Sequence, residues 1–269
     1  MENKKYVLTE ETITLDDVVL HRIKSISNFG DVKIGDLGGF IKSEKNLSVC
    51  GEAWVYDSAK VYGEAEVYGD ARVYGEALVY GKAEVYGKAE VFGNAKVYGE
   101  ADVCDSAKVY GEAEVCGKAE VYGEALVYGK AEVYGEAWVY GKAEVYGKAE
   151  VCDSAKVCGK AKVCGNAKVY GEAEVCGKAE VCDSAKVCGK ADYIVFKNWW
   201  SSGRFFTWTK SNNMWRVGCF FGTGEELIKK AYQDSELSGR EYERVVQYVN
   251  SILADENKLT NINNKNLQG

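Results

Sequence analysis

From Val49 to Asp192, apolar and polar residues recur on a period of six: Val, an aromatic or Cys, Gly or Asp, a polar residue, Ala, and a position held mostly by Glu or Lys. Val stands at every sixth residue from Val49 to Val187, with Ala four places after each, from Ala53 to Ala191. These 144 residues divide into 24 hexads with no insertion or deletion. Alternate residues of an extended segment share a face, so each Ala and the Val two places later point to the same side. That side is the inside. The Gly after each aromatic supplies the backbone angles of a tight corner. Short strand, corner, short strand predicts a parallel β-helix; an α-solenoid needs repeats of roughly 30 to 45 residues.

Three hexads per coil would stack residues 18 apart. One such column runs Glu64, Lys82, Glu100, Lys118, Glu136, Ser154, Glu172, Lys190 and alternates in charge along most of its length. Stacked neighbours lie about 4.8 Å apart, where unlike charges help and like charges repel. On this spacing the 24 hexads make about eight 18-residue coils, roughly 38 Å of stack. Tyr62, Tyr80 and Tyr98 then form one aromatic ladder, and Tyr74, Phe92, Tyr110, Tyr128 and Tyr146 another.

Both flanks depart from the period. Residues 1–48 predict an N-terminal β cap, with two strands around Asp16-Asp17 and a Gly-rich bend, Gly35 to Ile41, feeding the first hexad. Such a segment suits the open end of a stack, whose backbone groups and core need covering. Residues 193–254 predict a C-terminal α+β module of a hairpin and two helices. Its strands are Tyr193 to Phe196, Arg204 to Thr209 and Trp215 to Phe221, with a turn at Lys210-Ser211-Asn212-Asn213. Capping boxes at Thr223 and Ser238 open the two helices. Tyr242, Val245, Val246, Val249, Ile252 and Leu253 form the apolar stripe of the second. The Asn- and Lys-rich stretch 255–269 predicts a disordered tail.

Composition narrows the function. The net charge of −7 resides in the repeat, which has 25 acidic and 17 basic residues. An acidic body repels nucleic acid and anionic membrane, so neither is an expected partner. Residues 1–48 show no apolar signal core, and no run is long enough to span a bilayer, so the cytoplasm is the expected compartment. Nine of the ten cysteines occupy the hexad position of Tyr and are expected to be free thiols substituting for it. On three-hexad coils Cys158 stacks on Cys176 and Cys164 on Cys182, close enough for disulfides. The two pairs fall on different corners, so four thiolates cannot gather on one zinc ion.

The phrase Val-x-Gly-x-Ala-x resembles the hexapeptide repeat of left-handed β-helix proteins over residues 49–192. Leu20-His21-Arg22-Ile23, Phe29-Gly30-Asp31-Val32-Lys33 and Gly35-Asp36-Leu37-Gly38-Gly39-Phe40-Ile41, followed by Asn46-Leu47-Ser48 and Trp54-Val55-Tyr56, are similar to a narrower group, the YdcK-like hexapeptide-repeat proteins. The resemblance implies a left-handed β-helix and a phage or prophage setting, but no activity. Left-handed β-helices include acyltransferases, whose mechanism needs a His to take a proton from the acceptor. This chain has a single His, His21, outside the repeat, and its corners carry no inserted loop. No catalytic residue, cofactor or metal is therefore assigned. Evenly spaced Gly residues without a following helix give no phosphate-binding loop. The four Asp-Ser-Ala-Lys hexads, at Asp57, Asp105, Asp153 and Asp183, look like duplicated hexads.

The C-terminal module holds Trp199, Trp200, Trp208 and Trp215, four of six tryptophans, with Arg204 and Arg216. Trp and Arg are enriched at interface hot spots, which makes these six the candidate partner-binding residues. The expected function is that of a non-enzymatic scaffold whose module meets a protein partner, a host protein in a phage setting and a defence component among the candidates. The alternatives are a purely structural spacer or virion-associated protein, a homo-oligomer (trimer or dimer) built on the same surface, and a vestigial acyltransferase.

Overall fold

In a computed structural model, residues 4–189 and 192–266 are described. They form two units, divided between Tyr193 and Ile194.

The first unit is a three-sided parallel β-helix of about eight coils. Strands pair in parallel with those 18 residues on, Val61 with Val79 on one face, Val67 with Val85 on the second and Val55 with Val73 on the third. Every Val from Val55 to Val187 and every Ala from Ala53 to Ala185 is fully buried. Removing each Val from water contributes about 1.5–3 kcal/mol, so this six-residue alternation is what closes the coil around its core. The corners are left-handed, Gly99 for example at φ 77°. The aromatic ladders form as the spacing predicts, with ring centroids 4.7 to 4.9 Å apart from Tyr74 to Tyr146.

Charges also stack by 18. In the column anticipated to alternate, Lys82 and Glu100 meet at 3.7 Å. Pairs on the strands are closer, Lys96 with Glu114 at 2.7 Å and Lys168 with Glu150 at 2.7 Å. Being exposed, each contributes no more than about 1 kcal/mol.

Neighbouring coils bond in alternation. On either side of each inward Val the backbone N–H points to the following coil, as Lys60 donates to the Ala77 carbonyl at 2.9 Å and Tyr62 to that of Val79 at 3.0 Å, while the Val between them faces the preceding coil. Each end of the stack therefore leaves backbone groups unpaired: the first coil has carbonyls in need of donors, and the last has N–H groups in need of acceptors.

Residues 4–48 meet the first need. A hairpin of β1 (Tyr6–Leu15) and β2 (Val18–Ser25) turns through Asp16 and Asp17, both at positive φ, the arrangement that matches strand twist. Side chains then act as surrogate N–H groups: Lys5 Nζ donates to the Ala53 carbonyl at 2.7 Å, Tyr6 Oη to Leu47 at 2.7 Å, and Asn46 Nδ2 to Ala65 at 2.8 Å. At the other end Tyr193 Oη accepts from the Cys176 N–H at 3.2 Å, and the Asp192 carboxylate accepts from that of Cys188 at 2.8 Å.

Two expectations for this end are corrected. The Gly-rich bend is instead a strand, β3 (Leu37–Ile41), antiparallel to β2 and parallel to Lys60–Val61. Its glycines serve close approach: a Cβ on Gly38 would sit 2.5 Å from the Val55 carbonyl oxygen, and one on Gly39 2.5 Å from that of Ala59. Val49, the first Val of the sequence repeat, is only half-buried. Leu47 takes the inward place, bridged in parallel to Val67 and fully buried.

The second unit is built on a four-stranded sheet, Tyr193–Lys197 (whose first residue is the last of the first unit), Phe205–Thr209, Met214–Val217 and Phe220–Gly222 in that order. The single strand expected from Trp215 to Phe221 is broken at Gly218, which adopts φ 58° to turn the chain back on itself. Helix α1 (Gly224–Asp234) opens on Thr223 with the expected capping box. Helix α2 (Glu236–Asn266) begins before Ser238; it is Ser235 whose hydroxyl accepts the Ser238 N–H. The helix also continues where disorder was expected from Asp255, since extending an existing helix avoids the cost of nucleation. Residues 267–269 of that stretch lie outside the described residues.

Candidate functional site

The six candidate residues do not form one surface. Trp208 and Trp215 are 2% and 1% exposed and pack with Phe206, Leu227, Tyr242 and Val249 in the core of the module. Trp208 Nε1 donates to Asn213 Oδ1 at 2.9 Å, which satisfies the indole inside the fold. The half-buried Trp200 sets its ring edge against Tyr242 at 5.0 Å. Arg216, also half-buried, lies between Thr207 and Phe221 in the sheet. Direct contact of Trp208 or Trp215 with a partner is thereby corrected: a four-stranded sheet under two helices needs these large apolar rings to fill its core.

Trp199 and Arg204 remain on the surface. Trp199 is 71% exposed, the most exposed large apolar side chain among the described residues, and meets Trp200 edge to face at 5.8 Å. It sits in a loop pinned at its base. The Asn198 N–H donates to the Arg204 carbonyl and the Gly203 N–H to the Asn198 carbonyl, both at 2.8 Å. Gly203 takes φ 65°, which makes the return possible. Asn198 is itself buried, its Nδ2 donating to Tyr242 Oη on α2 at 3.0 Å. A large, stiff ring is thus held out from a tied loop.

The first unit contains a polar hollow of about 220 Å³ lined by Asp31, Tyr56, Asp57, Arg72, Tyr74 and Glu90. Tyr56 Oη donates to Asp31 at 2.7 Å, Arg72 pairs with Asp31 at 3.3 Å, and Tyr74 Oη donates to Glu90 at 3.0 Å. The Tyr56 hydrogen bond, with Arg72 assisting, holds the Asp31 carboxyl below the usual range. A carboxylate stabilised in this way is a weak base, and the trio serves to fasten residue 31 to the coils. His21 places Nδ1 3.3 Å from the Thr9 carbonyl oxygen within the hairpin. Among the described residues no helix is long and apolar enough to cross a membrane.

The cysteines depart from the expectation of free thiols at one place. Cys164 and Cys182, stacked one coil apart with Cα atoms 4.5 Å from each other, are joined by a disulfide. The other eight are unbonded.

The chain is thus a three-sided parallel β-helix followed by an α+β module whose exposed aromatic loop is its most distinctive surface feature. No family model matches it, and no curated protein matches it either. The resemblance drawn from its N-terminal words rests on those residues alone.

Proposed function

We propose that this chain is a non-catalytic binding protein in which the coils act as a scaffold and the Trp199 loop anchors a protein partner. The observation that carries this reading is an exposed indole on a loop tied by Asn198 and Arg204, while three further tryptophans of the module serve the fold. A solvated aromatic of that size costs free energy to display, and a ring held on a fixed loop loses little conformational entropy when it is covered. Arg204, exposed at the base of the same loop, suits an acidic or aromatic partner surface. The phage setting implied by the sequence resemblance makes a bacterial protein, a defence component among the candidates, the partner class to search first.

Affinity capture from bacterial lysate with the intact chain and with Trp199→Ala tests the proposal. Recovery of one protein by the first and its loss with the second, at unchanged melting temperature, supports it. If everything captured binds the Trp199→Ala chain equally well, the loop is not the anchor.

A further inference from the structure

Cys158 and Cys176 stack one coil apart at the corner that follows the strands Lys156–Val157 and Glu174–Val175, which pair in register. Glu174 precedes Cys176 by two residues, so the strand alternation turns its carboxylate to the same side as the thiol. The two sulfurs and a Glu174 carboxylate oxygen all lie within 4.8 Å of one another. Cys158 is buried, Glu174 half-buried and Cys176 exposed, so the group is anchored on the protein side and open on the other.

The neighbours explain why this carboxylate faces the sulfurs. Lys156 is the stacked partner of Glu174, but its ammonium lies over the Trp138 ring one coil back, 4.5 Å from the centroid. Among the described residues Glu174 has no ion pair. Tyr193 Oη donates to the Glu174 carbonyl at 3.0 Å, accepts the Cys176 N–H at 3.2 Å and stands 3.9 Å from the Cys176 sulfur. That hydroxyl fixes the backbone between the two ligand side chains and, with its own proton on the Glu174 carbonyl, can accept from the Cys176 thiol.

We propose that Cys158, Cys176 and Glu174 form a binding site for a borderline-soft divalent cation of the zinc type. Two thiolates and one carboxylate supply three of four tetrahedral positions, and the exposed side leaves the fourth to water. A dication favours thiolate over thiol: both thiols ionise as it binds, two protons are released, and the charged cluster nets −1. Trp138 has a part in this site, because drawing Lys156 away removes the competing cation. Four-thiolate zinc is excluded by the separate corners of the two Cys pairs, whereas a mixed set needs only one corner.

The test is a Co²⁺ titration of the full chain, reduced and kept free of oxygen, followed by thiolate-to-metal charge-transfer absorption and displacement with Zn²⁺. Wild type is expected to take up one ion per chain at this site. Cys176→Ser, an exposed substitution that leaves the core intact, should abolish it. Glu174→Gln should weaken it at least about tenfold, a loss that even outer-shell partners of a metal produce. Cys188→Ser, at a different corner, should leave it unchanged. The site is overturned if the absorption survives Cys176→Ser, or if Glu174→Gln binds as tightly as wild type. It is equally overturned if wild type with both thiols titratable gives no signal, or if alkylation and mass spectrometry find Cys158 and Cys176 joined under reducing conditions. Thermal melts of each variant establish that the coils are intact.

Discussion

Lys5 Nζ lies 2.7 Å from the Ala53 carbonyl oxygen and 3.4 Å from that of Gly51, occupying the place that a preceding coil's N–H would fill. Removing it leaves a buried carbonyl without a donor, so Lys5→Met should lower stability by about 1–3 kcal/mol. Burial lowers the Lys5 pKa from 10.5 to about 8. The unfolded chain therefore binds more protons between those values, and the stability of wild type rises with pH across that window. The methionine variant lacks this gain. Urea unfolding of both proteins should show the gap between them widening as pH climbs from about 8 towards 10.5; a constant gap would remove the titration argument.

Asp102 stacks between Glu84 and Glu120 on the second face. Burial first, then these two carboxylates, raises its pKa above 3.8. A raised acid pKa means that the folded chain holds its proton more tightly, so stability is lost as pH rises from the unfolded value through the folded one. Asp102→Asn should therefore stabilise the protein at neutral pH, by about 0.2–1 kcal/mol for relief of stacked like charges. Thermal melts should show this advantage shrinking as pH falls below the folded pKa.

Asp57, Asp105 and Asp153 adopt the same left-handed corner as the glycines and accept the N–H of Gly75, Gly123 and Gly171 one coil on, at 3.0 to 3.1 Å. Three of the four Asp-Ser hexads thus carry a structural bond that their sequence spacing did not reveal. At Gly99, φ 77°, an added Cβ would meet the Gly117 nitrogen at 2.9 Å. Gly99→Ala should cost about 1–2 kcal/mol for the left-handed backbone. Gly99→Asp meets the same crowding but gains the hydrogen bond to Gly117, and should cost less. Denaturant midpoints of the two variants decide it, with equal losses counting against the bond.

Trp199→Ala should change stability by less than about 0.5 kcal/mol, as surface substitutions do. Trp208→Ala empties the middle of the module and should cost about 3–5 kcal/mol. Tryptophan fluorescence during unfolding separates the two, and the contrast shows why only Trp199 is suited to probing a partner.

The coils were legible because one rule, Val and Ala inward at period six, is reinforced by every neighbour 18 residues away. The ends were less so. Leu47 displaces Val49 from the core because the N-terminal cap, two residues out of step with the later coils, delivers it there; periodicity alone favours Val49. The tryptophan loop could be named from composition, but which indole faces water depends on Asn198 reaching Tyr242 across 44 residues. The carboxylate beside Cys158 and Cys176 was within reach, since Glu174 shares a side with Cys176 by simple alternation. Cysteine and histidine spacing alone does not point to it, because one of the three groups is a carboxylate.

The fixed 18-residue step also bears on how the coils repeat. With Lys5, Tyr6 and Asn46 satisfying carbonyls at the start, each coil presents an edge of alternating donors and acceptors to the segment that follows it. Every added turn meets the same surface as the one before. Nothing in that process counts turns. The length is written in the gene alone, and Asp192 and Tyr193 mark where the addition stops.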